Sequence, residues 1–208
     1  MRIISSLAIC SSLLFGIACG GSQPEPETPR PAEDPAPASP APMEPPATDA
    51  TVAKAEPPPA PAPKTVTVSF EAKSGSKLTG QATLTEESGG VKLAIELAGI
   101  KPGDHGAHVH ETPDCSAPDA KSAGSHYNPD KHDHGLPAAA SRHIGDLGNI
   151  TADKDGKAKL EIVLAGANLK ADDPHSLLNR SLIIHEKKDD GGQPTGNAGG
   201  RIGCAVIQ

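Results

Sequence analysis

The distribution of proline divides this chain of 208 residues into a segment that cannot form a core and a segment that can. Fifteen of the 22 prolines lie in Gly20–Lys64, where they alternate with Ala, Glu and Thr. Such a segment has too few large apolar side chains to offset the entropy lost on ordering, so we expect a disordered tether over residues 19–64. The remaining Thr65–Gln208 has a suitable size for one globular domain.

Residues 1–18 have the features of a secretory signal peptide. Arg2 precedes an apolar stretch that is too short for a stable transmembrane span and is followed directly by polar sequence. Cys19 comes directly after Ala18, which resembles a bacterial lipoprotein cleavage site and predicts lipidation of Cys19. Ordinary cleavage that leaves a thiol at Cys19 is the alternative. We expect an exported protein of the periplasm or cell envelope, attached to a membrane by a lipid anchor on Cys19.

Short alternating patterns predict an all-β domain, and no segment has a convincing helical period. Eight strands are predicted: Thr65–Lys73, Lys77–Thr85, Val91–Leu97, His105–Glu111, Ile144–Thr151, Lys159–Leu164, Ser181–His185 and Ile202–Ile207. Eight short strands with turns rich in Gly and Asp indicate an antiparallel sandwich or barrel. Two connections, Thr112–His143 and Lys187–Arg201, are longer than such a fold needs, and long ordered loops are usually functional.

Histidines are concentrated in one part of the domain. Seven of the nine lie in a segment of 39 residues, His105–His143. His108 and His110 alternate in a predicted strand, so both rings point to one face with Cα atoms roughly 6.5–7 Å apart. For a lone pair a solvated strand face is the usual explanation, but the concentration favours a metal site. The net charge of −7 and the lack of a long basic cluster argue against nucleic-acid binding.

Four cysteines are present, and their positions agree with export. Cys10 leaves with the signal peptide and Cys19 is assigned to the lipid, so Cys115 and Cys204 remain in the domain. A cysteine pair in an exported domain predicts a disulfide, with two buried free thiols as the alternative.

Six motifs follow one another in an order that resembles the copper/zinc superoxide dismutases. They are HGAHVHE (105–111), GSHYNP (124–129), HGLP (134–137), RHIGDLGNI (142–150), RSLIIHEKKDD (180–190) and GNAGGRIGCAVI (196–207). The resemblance covers essentially all of Thr65–Gln208 and none of the tether. It implies an eight-stranded Greek-key barrel and the dismutation of superoxide to O₂ and H₂O₂, and it makes a homodimer possible.

The resemblance also implies a role for individual residues. Copper would be bound by His108, His110, His126 and His185, and zinc by His126, His134, His143 and Asp146, with the ring of His126 shared. Arg201 would attract the anionic substrate and His126 would supply a proton. Asp189 would accept hydrogen bonds from His108 and His134, and Cys115 and Cys204 would form the family disulfide.

The residues themselves are compatible with these roles but leave alternatives. Imidazole nitrogens suit copper, and three histidines with one carboxylate suit tetrahedral zinc. By spacing alone His132 is as good a zinc ligand as His134, although Gly135 and Pro137 favour His134. His105 is expected to orient the first ligand loop by hydrogen bonding, and Arg201 to hold the Gly-rich loop if it does not attract substrate.

A copper-buffering module on the same fold is a different class of function. It would be favoured by the loss of a copper ligand or of Arg201, and the sequence shows neither loss.

Overall fold

The computed structural model describes residues 62–208, so the predicted signal peptide, Cys19 and nearly all of the tether lie outside the described residues. Within residues 62–208 the chain forms nine strands and a 3₁₀ turn at Lys121–Ala123. The strands are β1 Thr65–Ser69, β2 Glu71–Ala72, β3 Thr79–Glu87, β4 Gly90–Ala98, β5 Gly103–His110, β6 Asp146–Ala152, β7 Ala158–Ala165, β8 Arg180–His185 and β9 Arg201–Ile207. The part of the chain that the structure describes contains no helix that could span a membrane.

The strands form one antiparallel sheet in the order β1-β3-β4-β7-β6-β5-β8-β9-β2. The β4–β5 and β7–β8 connections each pass over two intervening strands, as in a Greek key. Because β1 pairs with β3 at one end of this order and β2 pairs with β9 at the other, the sheet curls into a nearly closed barrel. The predicted all-β Greek-key fold is therefore confirmed.

The structure has nine strands rather than the eight expected, because Thr65–Lys73 is two strands rather than one. The break is at Phe70, whose side chain is buried and whose N–H donates to the carbonyl oxygen of Gly80. Before Phe70 the chain pairs with β3, and after it the chain pairs with β9. One continuous alternating pattern thus supplies both edge strands of the sheet. The alternation of apolar residues does not show that one part pairs with β3 and the other with β9.

The barrel interior is filled by aliphatic side chains from alternate strand positions, including Leu84, Leu93, Ile95, Leu182 and Ile184. β8 is buried on both faces, because Ile183 points away from this core into a second apolar cluster. That second cluster also contains Cys115, Ala120, Ala123 and Cys204. The long β5–β6 connection therefore packs against the outer face of the barrel.

A disulfide joins Cys115 of the β5–β6 connection to Cys204 of β9, with Cα atoms 5.8 Å apart. This confirms the predicted cysteine pair. Lys73, which follows β2, adds a second attachment, because its buried ammonium group donates to the carbonyl oxygen of Cys115. The loop that carries several of the histidines is thus tied to both β9 and the end of β2.

Candidate metal centre

Four histidines from three parts of the chain meet beside β5 and β8. His108 and His110 lie on the same face of β5, and His185 is the last residue of β8. His126 belongs to the β5–β6 connection and is placed by an isolated antiparallel bridge to His110. One ligand atom from each residue lies within 4.8 Å of the others, and all four residues are buried. We refer to these residues as the four-histidine cluster.

Hydrogen bonds fix which nitrogen of each ring carries a proton. In three of these rings one nitrogen faces an oxygen that can only accept, so that nitrogen is the donor. The acceptors are Asp189 Oδ2 at 2.8 Å from His108 Nε2, Gly124 O at 2.9 Å from His110 Nδ1 and Gly199 O at 3.3 Å from His185 Nδ1. The opposite nitrogens of the same rings therefore present lone pairs when the rings are neutral.

Those lone-pair nitrogens are His108 Nδ1, His110 Nε2 and His185 Nε2. All three are buried and have no hydrogen-bond partner anywhere in residues 62–208. Burying a polar atom without a partner is unfavourable, and several lone pairs directed at one point repel one another unless a cation lies between them. The residues present therefore fit a metal ion that prefers imidazole nitrogen.

A second group of histidines surrounds the carboxylate of Asp146. His126 Nδ1 and His143 Nδ1 lie 3.0 and 3.1 Å from Asp146 Oδ1, and His134 Nδ1 lies 3.0 Å from Asp146 Oδ2. The close contact of His134 Nδ1 with Asp146 is not a hydrogen bond, because the neutral ring of His134 donates from Nε2 to Asp189, and Nδ1 has no hydrogen-bond partner within the described part of the chain. We refer to His126, His134, His143 and Asp146 as the Asp146 cluster. His126 belongs to both clusters and presents Nδ1 to this one.

The membership of this second group differs slightly from the set implied by the sequence. The set whose ligand atoms all lie within 4.8 Å of one another contains His108, His126, His134 and Asp146. His143 instead makes a direct contact with Asp146. Because His108 presents its free nitrogen, Nδ1, to the four-histidine cluster, we group His143 rather than His108 with Asp146.

Asp189 connects the two clusters from behind. Its Oδ2 accepts from His108 and its Oδ1 accepts from His134 at 3.0 Å and from the backbone N–H of Gly191 at 2.8 Å. Burial by itself raises the pKa of this fully buried carboxyl. The hydrogen bonds from His108, Gly191 and His134 outweigh burial and hold the pKa of Asp189 well below its usual range. The side chain is therefore an anion that fixes two rings at once.

The same balance of burial and hydrogen bonding sets the charge of the other groups. Burial lowers the pKa of His108 to about 4 and that of His185 to about 3. For His110, burial and the nearby charge of Arg201 both lower the pKa. Burial alone raises the pKa of Asp146, but hydrogen bonding, first of all from His126, lowers it to about 2. At neutral pH the imidazoles of His108, His110 and His185 are therefore neutral and can bind a metal ion, and Asp146 is a carboxylate.

Comparison with known proteins agrees with this arrangement. The model of the family described as copper/zinc superoxide dismutase matches residues 78–207. The chain belongs to this family. Two solved structures are similar to it, each with a TM-score of 0.63. One, of the clock protein EA4, is 35% identical, over 71% of this chain and 96% of that chain. The other, of a SOD-like protein from Bacillus subtilis, is 30% identical, over 71% of this chain and 100% of that chain.

In this member of the copper/zinc superoxide dismutase family, Arg201 begins β9 beside the four-histidine cluster. Its Nη1 donates to Ala120 O and its Nη2 donates to Gly124 O, both at 2.7 Å. Burial lowers the pKa of the half-buried guanidinium. Gly124 O also accepts from His110, so Arg201 and His110 are held by one carbonyl group. Arg201 therefore fastens the β5–β6 connection rather than the Gly-rich loop, and it places a positive charge near the cluster.

The remaining histidines lie outside both clusters. The ring nitrogens of buried His105 are each 2.8 Å from a backbone carbonyl oxygen, of His185 and of Lys101, so the ring ties the β4–β5 connection to the end of β8. His132 is exposed and its Nδ1 is 3.1 Å from Arg142 O. His175 pairs with Asp130 through Nε2 at 2.8 Å. Between the two zinc-ligand candidates left open by spacing, the structure brings His134 into the cluster and not His132.

The sequence did not indicate several groups that shape the site. Gly196 has a φ of +75°, and a Cβ there would lie 2.0 Å from Asp189 Oδ1, so only glycine lets this carboxylate reach both rings. Asn149 fixes the backbone of Asp189 through bonds of 2.7 and 2.9 Å. Glycines are frequent in this domain, and no local pattern distinguishes this one from the others.

Proposed function

We propose that this protein is a superoxide dismutase that converts two superoxide anions and two protons into O₂ and H₂O₂. The observation that carries the proposal is the set of three buried lone pairs without partners, next to a histidine shared with a carboxylate cluster. In this proposal the four-histidine cluster holds copper, and the Asp146 cluster holds zinc. The membership of the family supports the proposal, and the ligand set of this chain makes it specific.

The donor atoms of the two clusters suit different metals. Four imidazole nitrogens without a carboxylate lie at the high-affinity end for copper, whereas three histidines with Asp146 suit a closed zinc site. Copper supplies one-electron redox chemistry when bound, and zinc supplies none. The anionic side chain of Asp189 orients one ring of each cluster, so occupation of the two clusters is expected to be coupled.

His126 is assigned the transfer of protons. Its Nδ1 faces Asp146, which leaves Nε2 as the nitrogen available to the four-histidine cluster. In this role His126 holds a proton at Nε2 in one half of the reaction and gives it to the peroxide product in the other half.

Arg201 is assigned the attraction and placement of superoxide. Its charge lies near enough to His110 and His185 to lower the pKa of both. A fixed cation in a half-buried position raises the local concentration of a small anion, even in a chain with a net charge of −7. The two carbonyl acceptors prevent the guanidinium from swinging away from the cluster.

We also propose that the protein acts outside the cytoplasm, held to a membrane by a lipid on Cys19. The composition of residues 1–64 supports this location, and the Cys115–Cys204 disulfide is compatible with an oxidising compartment. The test is metabolic labelling with a fatty acid, in which Cys19→Ala is expected to abolish incorporation and release the protein from the membrane fraction. Labelling that persists in Cys19→Ala would contradict the anchor.

The proposed activity is tested by following superoxide decay with the full-length chain after loading with copper and zinc. His126→Ala is expected to lower the rate by at least about 100-fold, since it removes a ligand and the proton carrier together. His175→Ala changes the same residue type outside both clusters and is expected to retain full activity. Equal activity in the two variants would show that the proposed site is not the catalytic one.

A further inference from the structure

A cavity of about 370 Å³ that is open to solvent lies directly against the Asp146 cluster. His126, His134 and His143 form part of its inner wall, and the exposed side chains of His132 and Asp133 lie at its rim. The rim residues belong to neither metal-binding set described above, yet both carry groups that bind divalent cations. An imidazole and a carboxylate therefore stand in the passage between solvent and three buried ligand residues.

The ring of His132 has the same donor arrangement as the buried ligands. Its Nδ1 is 3.1 Å from the carbonyl oxygen of Arg142, which can only accept, so Nδ1 carries the proton of the neutral ring. Nε2 then presents a lone pair. His110 and His185 of the four-histidine cluster are fixed in the same way, by donation from Nδ1 to a backbone carbonyl.

Two amide side chains fix the backbone at His132 on the rim and at His134 on the inner wall. Asn128 accepts from the backbone N–H of His132 at 3.0 Å and donates to its carbonyl oxygen at 2.8 Å. Gln193 makes the same pair of bonds to the backbone of His134, at 3.1 and 2.7 Å. Both amides also line the cavity. The two histidines, two residues apart, are thus pinned separately, one with an exposed ring and one with a buried ring.

A neighbouring cavity shares His132 but lacks an inner ligand set. It is lined by His175 and Asp130 among others. Within residues 62–208, the groups of potential ligands whose atoms converge to within 4.8 Å are the two sets at the metal centre, and neither contains His132 or His175. The first cavity therefore joins His132 to three histidines of the Asp146 cluster, whereas the neighbouring cavity joins it to no such ligand set within residues 62–208.

We propose that His132 and Asp133 form a capture site, which takes a hydrated divalent cation from solvent and passes it to the Asp146 cluster. The proposal rests on the assignment of zinc to that cluster. Capture replaces two water ligands of the ion by His132 Nε2 and an Asp133 oxygen. Transfer then replaces these and the remaining waters by imidazole nitrogens and the Asp146 carboxylate, without any change in oxidation state. Because the capture site is empty once transfer is complete, it accelerates uptake without altering the final affinity.

The test compares the rate of Zn²⁺ uptake with the equilibrium affinity for Zn²⁺. Metal-stripped full-length protein with its disulfide intact is mixed with Zn²⁺ and a chromophoric indicator in a stopped-flow instrument. Co²⁺, whose visible absorption reports tetrahedral binding, is used in a parallel experiment. The variants are His132→Ala, Asp133→Asn and the double substitution, and His175→Ala is the matched control. Thermal unfolding of each loaded variant checks that the fold is retained.

The double variant is expected to take up Zn²⁺ about tenfold more slowly, which is the scale of a local electrostatic and ligand effect on association. Its equilibrium affinity and the uptake rate of the control are expected to stay within about twofold of the wild-type values. Uptake as fast as in the wild type would overturn the proposal. Equal losses of rate and affinity would also overturn it, because His132 would then be a permanent ligand. Failure of the wild-type protein to bind Zn²⁺ would instead refute the zinc assignment itself.

Discussion

Removal of the Cys115–Cys204 disulfide is expected to lower the free energy of unfolding by about 4–5 kcal/mol. The two cysteines are 89 residues apart in the sequence, so the bond closes a long loop in the unfolded chain. Treating its effect as lost loop entropy gives about 4–5 kcal/mol for a loop of this length. A domain of this size is stable by about 5–15 kcal/mol in total. The bond therefore accounts for a large share of the stability of the metal-free protein.

Loss of the bond is also expected to weaken the four-histidine cluster. The loop that begins at Cys115 supplies the carbonyl oxygens of Ala120 and Gly124, which hold Arg201, and Gly124 also holds His110. Without the disulfide, Lys73 still donates to the Cys115 carbonyl, but a single hydrogen bond from a charged group stabilises by only about 1.5–3 kcal/mol. Copper affinity is therefore expected to fall together with stability.

The assay is urea unfolding of the metal-free protein, in which Cys115→Ala/Cys204→Ala is compared with the wild type. Ser116→Ala alters the same loop without touching the cross-link and serves as the control. A copper competition titration on the same samples measures the second effect. A loss of stability below about 1 kcal/mol in the double variant would refute the loop-entropy reasoning. Unchanged copper affinity would refute the proposed link between the loop and His110.

Gly196→Ala places a Cβ 2.0 Å from Asp189 Oδ1. The zinc affinity, measured by competition titration, is therefore expected to fall about 10–100-fold, and a change below twofold would contradict the role of this glycine. The pKa values of His108 and His185 are lowered from 6.5 to about 4 and about 3 in the folded state, so the unfolded chain takes up protons first as the pH falls. The urea midpoint of the metal-free protein is therefore expected to be highest above pH 6.5 and to decrease towards pH 3–4; a midpoint that does not change in this range would contradict the burial argument. Arg201→Ala is expected to lower the second-order rate constant with superoxide about tenfold, whereas Arg201→Lys keeps the positive charge and is expected to retain part of the rate. Equal rate constants in the wild type and both variants would exclude the electrostatic role.

The sequence was a good guide to the strands, because alternation of apolar residues reports which side chains face the core. It was a poor guide to the break at Phe70. Residues on both sides of Phe70 alternate in the same way, and their division between β3 and β9 is decided by the closure of the barrel. The β6 strand likewise begins at Asp146 rather than at Ile144, because the backbone N–H groups of Gly135 and His143 bind the Asp146 side chain at this point.

For the site, the two sets of candidate ligands were implied by the resemblance of six motifs to the copper/zinc superoxide dismutases. Spacing alone did not distinguish His132 from His134, because both lie in an irregular loop. The distinction is made by Asp189, which is 55 residues away from His134 in sequence and 3.0 Å away in space. The backbone oxygens of Ala120 and Gly124 were not predictable either, since every residue carries the same carbonyl group and only the fold decides its direction.

The most direct test of the proposed function is the stoichiometry of superoxide consumption by the full-length chain loaded with copper and zinc. Superoxide is added in large excess over bound copper, and its decay is followed together with the formation of O₂ and H₂O₂. A dismutase is expected to consume many superoxide anions per copper ion, with O₂ and H₂O₂ formed in equal amounts and a rate proportional to protein concentration. Accelerated consumption of only about one superoxide per copper, with the remainder decaying at the spontaneous rate, would contradict catalysis and would identify a protein that binds copper without turning over.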